Sequence, residues 1–145
     1  MEMMNVTVEP GLPLVSQAGL WVDICDVDDV VPGTGVAALV DGEQLAIVRS
    51  PDGESFYAIS NFDPYSKAFV LSRGIVGDKG GVLKITSPIY KQAFDLKSGV
   101  CLDEPRVVLP TYPIRVQHGR VQVRTVDLDQ KVPVHVPKDV GADAE

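Results

Sequence analysis

An all-β fold is what this sequence predicts, on three observations. From Gly19 onward, short runs of Val, Ile, Leu and aromatic residues recur; Gly, Pro and Asp turn signals separate them; and segments periodic and long enough for a helix are scarce. The chain has 145 residues, 45% hydrophobic and 23% charged. That is the length of one domain and too apolar a composition for a disordered chain, so a core can be buried without disulfides or a structural metal.

Leu20 to Cys25 opens the strand series. Val36 to Val40 and Gln44 to Val48 flank Asp41-Gly42, two residues that tolerate the positive φ angles of a tight hairpin turn. Ser50-Pro-Asp-Gly53 makes the next turn, because Pro pre-sets one φ and Gly accepts another that other residues resist, and Phe56 to Ser60 resumes the sheet. Val82 to Ile85 and Ala93 to Leu96 continue the pattern. Ile114 to Gln117 and Val121 to Arg124 form a second hairpin around His118-Gly119, which makes His118 a turn residue.

Two loops interrupt the strands, a longer irregular stretch at 61–81 and a shorter one at 87–91. Loops carried on a rigid β scaffold are where binding usually resides. The chain divides into an N-terminal extension at 1–18, a folded domain at 19–126 and a C-terminal tail at 127–145. The tail has two prolines, Pro133 and Pro137, and no core-forming alternation after Val136. It is expected to be poorly ordered or docked on a partner, as are the first twelve or so residues.

Thirteen Lys plus Arg against twenty Asp plus Glu give a net charge of -7, with no basic run to offset it, which disfavours nucleic acid as a partner. No apolar stretch approaches the roughly 18 to 20 residues that span a bilayer. Met1 to Pro10 lacks the basic, apolar, small-residue order of a signal peptide, so the expected location is the cytoplasm. Cys25 and Cys101 are far apart, and with His118 and His135 they offer no close-spaced pair of the kind zinc and iron–sulfur sites use. Both cysteines read as buried thiols.

Three segments carry a resemblance. Asn61-Phe-Asp-Pro-Tyr65, Leu71-Ser-Arg-Gly74 and Ser87-Pro-Ile-Tyr-Lys-Gln-Ala-Phe-Asp-Leu-Lys-Ser-Gly99 resemble the two cluster-binding loops of Rieske proteins. In that family one loop carries Cys-x-His and the other Cys-x-x-His, two thiolates holding one iron and two imidazoles the other. On this resemblance Asp63 and Ser87 take the cysteine positions, and Tyr65 and Tyr90 the histidine positions. Their oxygens are hard ligands where the cluster needs thiolate and imidazole, so the resemblance implies a Rieske-like fold without its redox centre and no metal site on this chain.

A subgroup with this loss is the small subunit of assimilatory NAD(P)H-dependent nitrite reductase. The chain is similar to it from about Trp21 to Val123, on Trp21-Val-Asp-Ile-Cys25, Ala58-Ile-Ser-Asn-Phe-Asp-Pro-Tyr65, Ser72-Arg-Gly-Ile-Val-Gly-Asp78 and Ser87-Pro-Ile-Tyr-Lys-Gln-Ala-Phe-Asp-Leu96. The resemblance implies a Rieske-like antiparallel β-sandwich with two loops at the former cluster-binding tip. It also implies a large-subunit partner that carries FAD, siroheme and an iron–sulfur cluster and reduces nitrite to ammonium with NADH or NADPH. This chain would be a cofactor-free subunit without catalytic residues, assembling, stabilising or orienting that partner.

Two other functions compete: a stand-alone Rieske-type electron carrier such as a dioxygenase ferredoxin, against which the missing ligands count, and a regulatory or small-ligand module using the loop site as a pocket, for which no polar constellation is visible. The candidate partner-binding residues are Tyr65, Lys67, Arg73, Tyr90 and Lys91. Tyr65 and Tyr90 either form a docking tip or fill the space a cluster would vacate, and the two readings are compatible. Asp63 braces its own loop through Asx-type hydrogen bonds. Lys67, Arg73, Lys79, Lys84 and Lys91 gather positive charge near the loops of an acidic chain, enough to steer an acidic partner, although a solvated face is the commoner meaning of such charges. Pro88 and Gly99 are explained by turn geometry and Cys101 by packing.

Overall fold

The computed structural model of the chain describes residues 20–125 and the backbone of residues 3–6. The tail at 127–145 and the remainder of the N-terminal extension lie outside the described residues. In chain order the strands are β1 (Met3–Val6), β2 (Val22–Asp26), β3 (Gly35–Val40), β4 (Glu43–Arg49), β5 (Phe56–Ser60), β6 (Phe62–Asp63), β7 (Ala68–Phe69), β8 (Ile75–Lys79), β9 (Val82–Thr86), β10 (Ala93–Asp95), β11 (Thr111–Tyr112), β12 (Ile114–Gln117) and β13 (Arg120–Val123). Two 3-10 turns, Val27–Asp29 and Leu71–Arg73, are the only helical turns among the described residues.

A five-stranded sheet in the order β1-β3-β4-β5-β11 forms the centre. Its middle strand explains the architecture. Within β4, Ala46 and Val48 face one apolar cluster while Leu45 and Ile47 face another, because successive side chains of a strand point to opposite faces. A strand buried on both faces loses the polar alternation of a half-exposed one, which is why Leu45-Ala-Ile-Val48 reads as an unbroken apolar run. One cluster packs this sheet against the β10-β9-β8 sheet through Ile85, Phe94 and Leu96. The other packs it against the β12-β13-β2 sheet through Ile24, Cys25, Val121 and Val123.

The hairpins fall where the turn chemistry places them. Asp41 (φ 51°) and Gly42 (φ 81°) join β3 to β4, and His118 (φ 55°) and Gly119 (φ 76°) join β12 to β13, both pairs supplying the two positive φ values of a tight hairpin turn. Gly99 is fixed by sterics as well: at φ +83°, a Cβ there would stand 2.1 Å from the Leu109 carbonyl oxygen.

The stretch at 61–81, expected to be irregular, is more ordered than its composition suggests. It holds the β6–β7 hairpin and all of β8. Two-residue strands are too short to show alternation, and β8 is an edge strand whose Gly77-Asp78 reads as a turn. Within the N-terminal extension, Met3–Val6 pairs in parallel with β3, Met3 opposite Ala37 and Val6 opposite Val40.

Candidate functional site

The loops at 61–70 and 87–92 meet at one end of the β10-β9-β8 sheet, and backbone hydrogen bonds anchor each. Asn61 donates its N–H to the Gln44 carbonyl and accepts from Leu71 N. Its buried side chain accepts from Ser72 N through Oδ1 at 2.6 Å. Ser87 N donates to the Gln92 carbonyl at 2.8 Å, closing the second loop.

Asp63 and Ser87, the two cysteine positions of the Rieske pattern, are fully buried and bonded to each other. Ser87 Oγ donates to Asp63 Oδ2 at 2.5 Å. The same carboxylate accepts from Tyr65 N at 2.9 Å through Oδ1 and from Ser66 Oγ at 2.9 Å through Oδ2. Asp63 thus braces its own loop as its Asx pattern suggests, and also joins that loop to the next. Ser87 Oγ in turn accepts from Ile89 N at 3.3 Å. A buried carboxylate is stable only when its lone pairs are taken up by donors, and here three hydrogen bonds from the two loops do so.

The two histidine positions diverge. Tyr65 is buried, its ring 6.4 Å from that of Phe94, and its hydroxyl donates to Glu104 Oε1 at 2.8 Å beside Cys101 Sγ at 3.7 Å. Glu104 is also held by Arg106. Burial, then the bonds to Glu104 and Cys101, push the Tyr65 phenol well above its ordinary range. Of the two compatible meanings open to this ring, filling the interior is the one its buried position supports. Tyr90 is 44% exposed, next to the exposed Ile89.

Lys67, Arg73 and Lys91 are all exposed. Lys67 (φ 60°) and Lys91 (φ 69°) sit in left-handed backbone within the two loops, a conformation that side chains other than glycine, asparagine and aspartate rarely adopt. Lys67 N closes its turn onto the Asp63 carbonyl, and Lys91 Nζ reaches the Pro88 carbonyl at 3.1 Å. Around this tip three apolar side chains that sequence reasoning passed over are also exposed: Phe69, Ile75 (68%) and Ile89. Phe69 pairs with Phe62, next to Asp63, and Ile75 pairs with Thr86, next to Ser87, so both flank the Asp63–Ser87 bond. For Ile89 the signal was available in Ile89-Tyr90, two large side chains adjacent inside a loop. Glu104 had none, since its role depends on where Tyr65 turns.

These donors do not fit an iron–sulfur cluster. The oxygens of Asp63 and Ser87 are committed to one another, the Tyr65 hydroxyl is committed to Glu104, and none supplies the thiolate or imidazole that the two irons need. Among the described residues no three His, Cys, Asp or Glu side chains group so as to hold a metal ion, and no helix is long and apolar enough to cross a membrane. Cys25, buried in the core, has its thiol pushed up to about 11, by burial first and by Asp29 next, so it remains protonated and unreactive.

Comparison with known proteins matches residues 20–124 to the Rieske-like [2Fe-2S] domain family. The nitrite reductase (NADH) small subunit of Salmonella typhimurium is 45% identical over 104 residues, 72% of this chain and 96% of that protein. The E. coli protein NirD, solved by NMR, superposes with a TM-score of 0.68 at 43% identity, over 72% of this chain and 96% of that one. The nitrite reductase [NAD(P)H] large subunit of Klebsiella oxytoca contains a region 37% identical over 115 residues, 79% of this chain but 11% of that protein.

Proposed function

The chain belongs to the Rieske-like [2Fe-2S] domain family and, within it, to the small subunits of NAD(P)H-dependent nitrite reductase, and from that premise we propose that it serves the enzyme without carrying electrons itself. The observation that carries this reading is the Ser87–Asp63 hydrogen bond. Where an electron-transferring relative would place two thiolates on iron, this chain ties its loops with a serine and a carboxylate. FAD, siroheme and the iron–sulfur cluster belong, on this proposal, to the large subunit, which reduces nitrite to ammonium in the cytoplasm.

The docking face is the loop tip. Tyr90, Lys91, Lys67 and Arg73 are exposed, and Ile89, Phe69 and Ile75 add apolar area beside them. An apolar centre rimmed by charge is the usual make-up of a protein interface. The Klebsiella large subunit supports the partnership from another direction, since a homologous region is part of its own polypeptide.

Co-expression with the large subunit of the same organism tests the proposal. The two chains are expected to co-elute on size exclusion, and NAD(P)H-dependent nitrite reduction is expected to fall when this chain is left out. The purified small subunit is expected to contain no iron and no visible absorption. Iron with a Rieske spectrum would restore the electron-carrier reading, and unchanged activity without co-elution would remove the subunit's supporting role.

A further inference from the structure

The two edges of the central sheet are protected differently. At one edge β11 is two residues long and lies between Pro110 and Pro113. Proline has no N–H to donate, and a strand so short offers little to pair with. The strand next to the other end, β3, is six residues long and reads Gly-Val-Ala-Ala-Leu-Val, without a charge or a proline. A long, apolar, uncharged edge of this kind is a template for another strand, because its outward N–H and C=O groups lack partners.

In this chain that edge is covered from within. Met3–Val6 lies against β3 in parallel register, Met3 to Ala37, Met4 to Ala38, Asn5 to Leu39 and Val6 to Val40. The cover lies outside the family domain, whose match begins at residue 20. The 104 matched residues of the Salmonella subunit make up 96% of that protein, so it has no stretch of comparable length to use in this way. The family domain is matched without this strand, so protection of the edge is a contribution it adds to that domain.

We propose that the N-terminal segment acts as an intramolecular guard strand: it occupies the β3 edge and thereby prevents a second copy of this chain from pairing there, β3 to β3. Two such edges related by a twofold axis pair antiparallel, the arrangement the sheet otherwise favours, and a symmetric pair is closed against further growth.

The test is removal of residues 2–18, with light scattering over a concentration series and hydrogen exchange of the Gly35–Val40 amides. The full chain is expected to be independent of concentration in this respect. The truncated chain is expected to self-associate at high concentration and, when dilute, to exchange its β3 amides faster by on the order of tenfold. Met4→Pro with Asn5→Pro, which keeps the segment but prevents its pairing, is expected to behave like the deletion. Leu39→Lys in the truncated chain puts a charge on the edge and is expected to restore the monomer. A truncated chain that stays monomeric at every concentration, or β3 exchange equal to that of the full chain, overturns the proposal.

Discussion

Ser87 and Asp63, 24 residues apart in sequence, are joined by a hydrogen bond of 2.5 Å in the interior of the loop tip. In a Rieske protein the corresponding thiolates meet through iron, so a metal-mediated link between two loops has become a direct one. The direct link has a different energetic logic. A cluster stabilises its loops by coordination, whereas a buried carboxylate stabilises them only while every donor around it stays in place.

The pair should therefore behave as a unit. Ser87→Ala removes one donor from a buried carboxylate and is expected to cost about 1–3 kcal/mol. Asp63→Ala is expected to cost more, because it strands Ser87 Oγ, Ser66 Oγ and Tyr65 N together. The double variant should fall short of the sum by roughly 0.5–3 kcal/mol, read from urea unfolding of all four proteins. Additive losses would mean that the bond does not hold the loops.

Tyr65 separates packing from hydrogen bonding. Tyr65→Phe keeps the ring against Phe94 and loses only the hydroxyl's bonds to Glu104 and Cys101, at an expected cost of about 1 kcal/mol. Tyr65→Ala opens a cavity beneath the first loop and is expected to cost about 3–5 kcal/mol. Equal losses in thermal unfolding would show that the ring contributes little beyond its hydroxyl.

Stability should fall at alkaline pH. Burial, with Asp29 second, raises the Cys25 thiol from 9.0 to about 11. Burial, with the Glu43 charge second, raises the Tyr112 phenol from 10.0 to about 12, and Tyr65 is raised as well. Each group holds its proton more tightly in the folded chain, so above its unfolded pKa the unfolded chain releases protons first and is stabilised relative to the folded one. The contribution is present in full below pH 9 and is lost through 9–11 for Cys25 and 10–12 for Tyr112. Urea midpoints are expected to be flat near neutrality and to decline from pH 9, and Cys25→Ala is expected to delay the onset toward pH 10. An unchanged onset in Cys25→Ala would exclude the thiol as its source.

What could be read from the residues, and what could not, follows from the range of the interactions. The β3–β4 and β12–β13 hairpins are written in local chemistry, since Asp41-Gly42 and His118-Gly119 decide their own turns. The unbroken apolar run of β4 was legible as a strand, but its burial on both faces depends on two other sheets that the run itself does not specify. The strands β6, β7 and β8 were hidden, being too short or too polar to show a period, and β1 was hidden because its pairing depends on a distant edge. At the tip, the residue types showed that Asp63 and Ser87 stand where the Rieske pattern has thiolates, but their mutual bond depends on the approach of two separate loops. For Tyr65 and Tyr90 the residue type was the same and only the three-dimensional setting separates them: one turns inward to Glu104 and the other stays at the surface.

That separation sets the last prediction. Tyr90 is 44% exposed at the loop tip and belongs to neither buried core cluster, so Tyr90→Ala is expected to leave stability within about 0.5 kcal/mol. A tyrosine at the centre of an interface is a typical hot spot, and its loss there costs about 2 kcal/mol, or roughly 30-fold in affinity. His118 lies in the exposed β12–β13 turn, on a hairpin that belongs to the opposite sheet. His118→Ala is therefore expected to change affinity for the large subunit by less than about threefold. Titration of each variant against the large subunit reads the difference directly. Equal effects of the two variants would move the docking face away from the loop tip, whereas a loss confined to Tyr90→Ala with unaltered unfolding would assign that loss to the contact itself and not to the fold behind it.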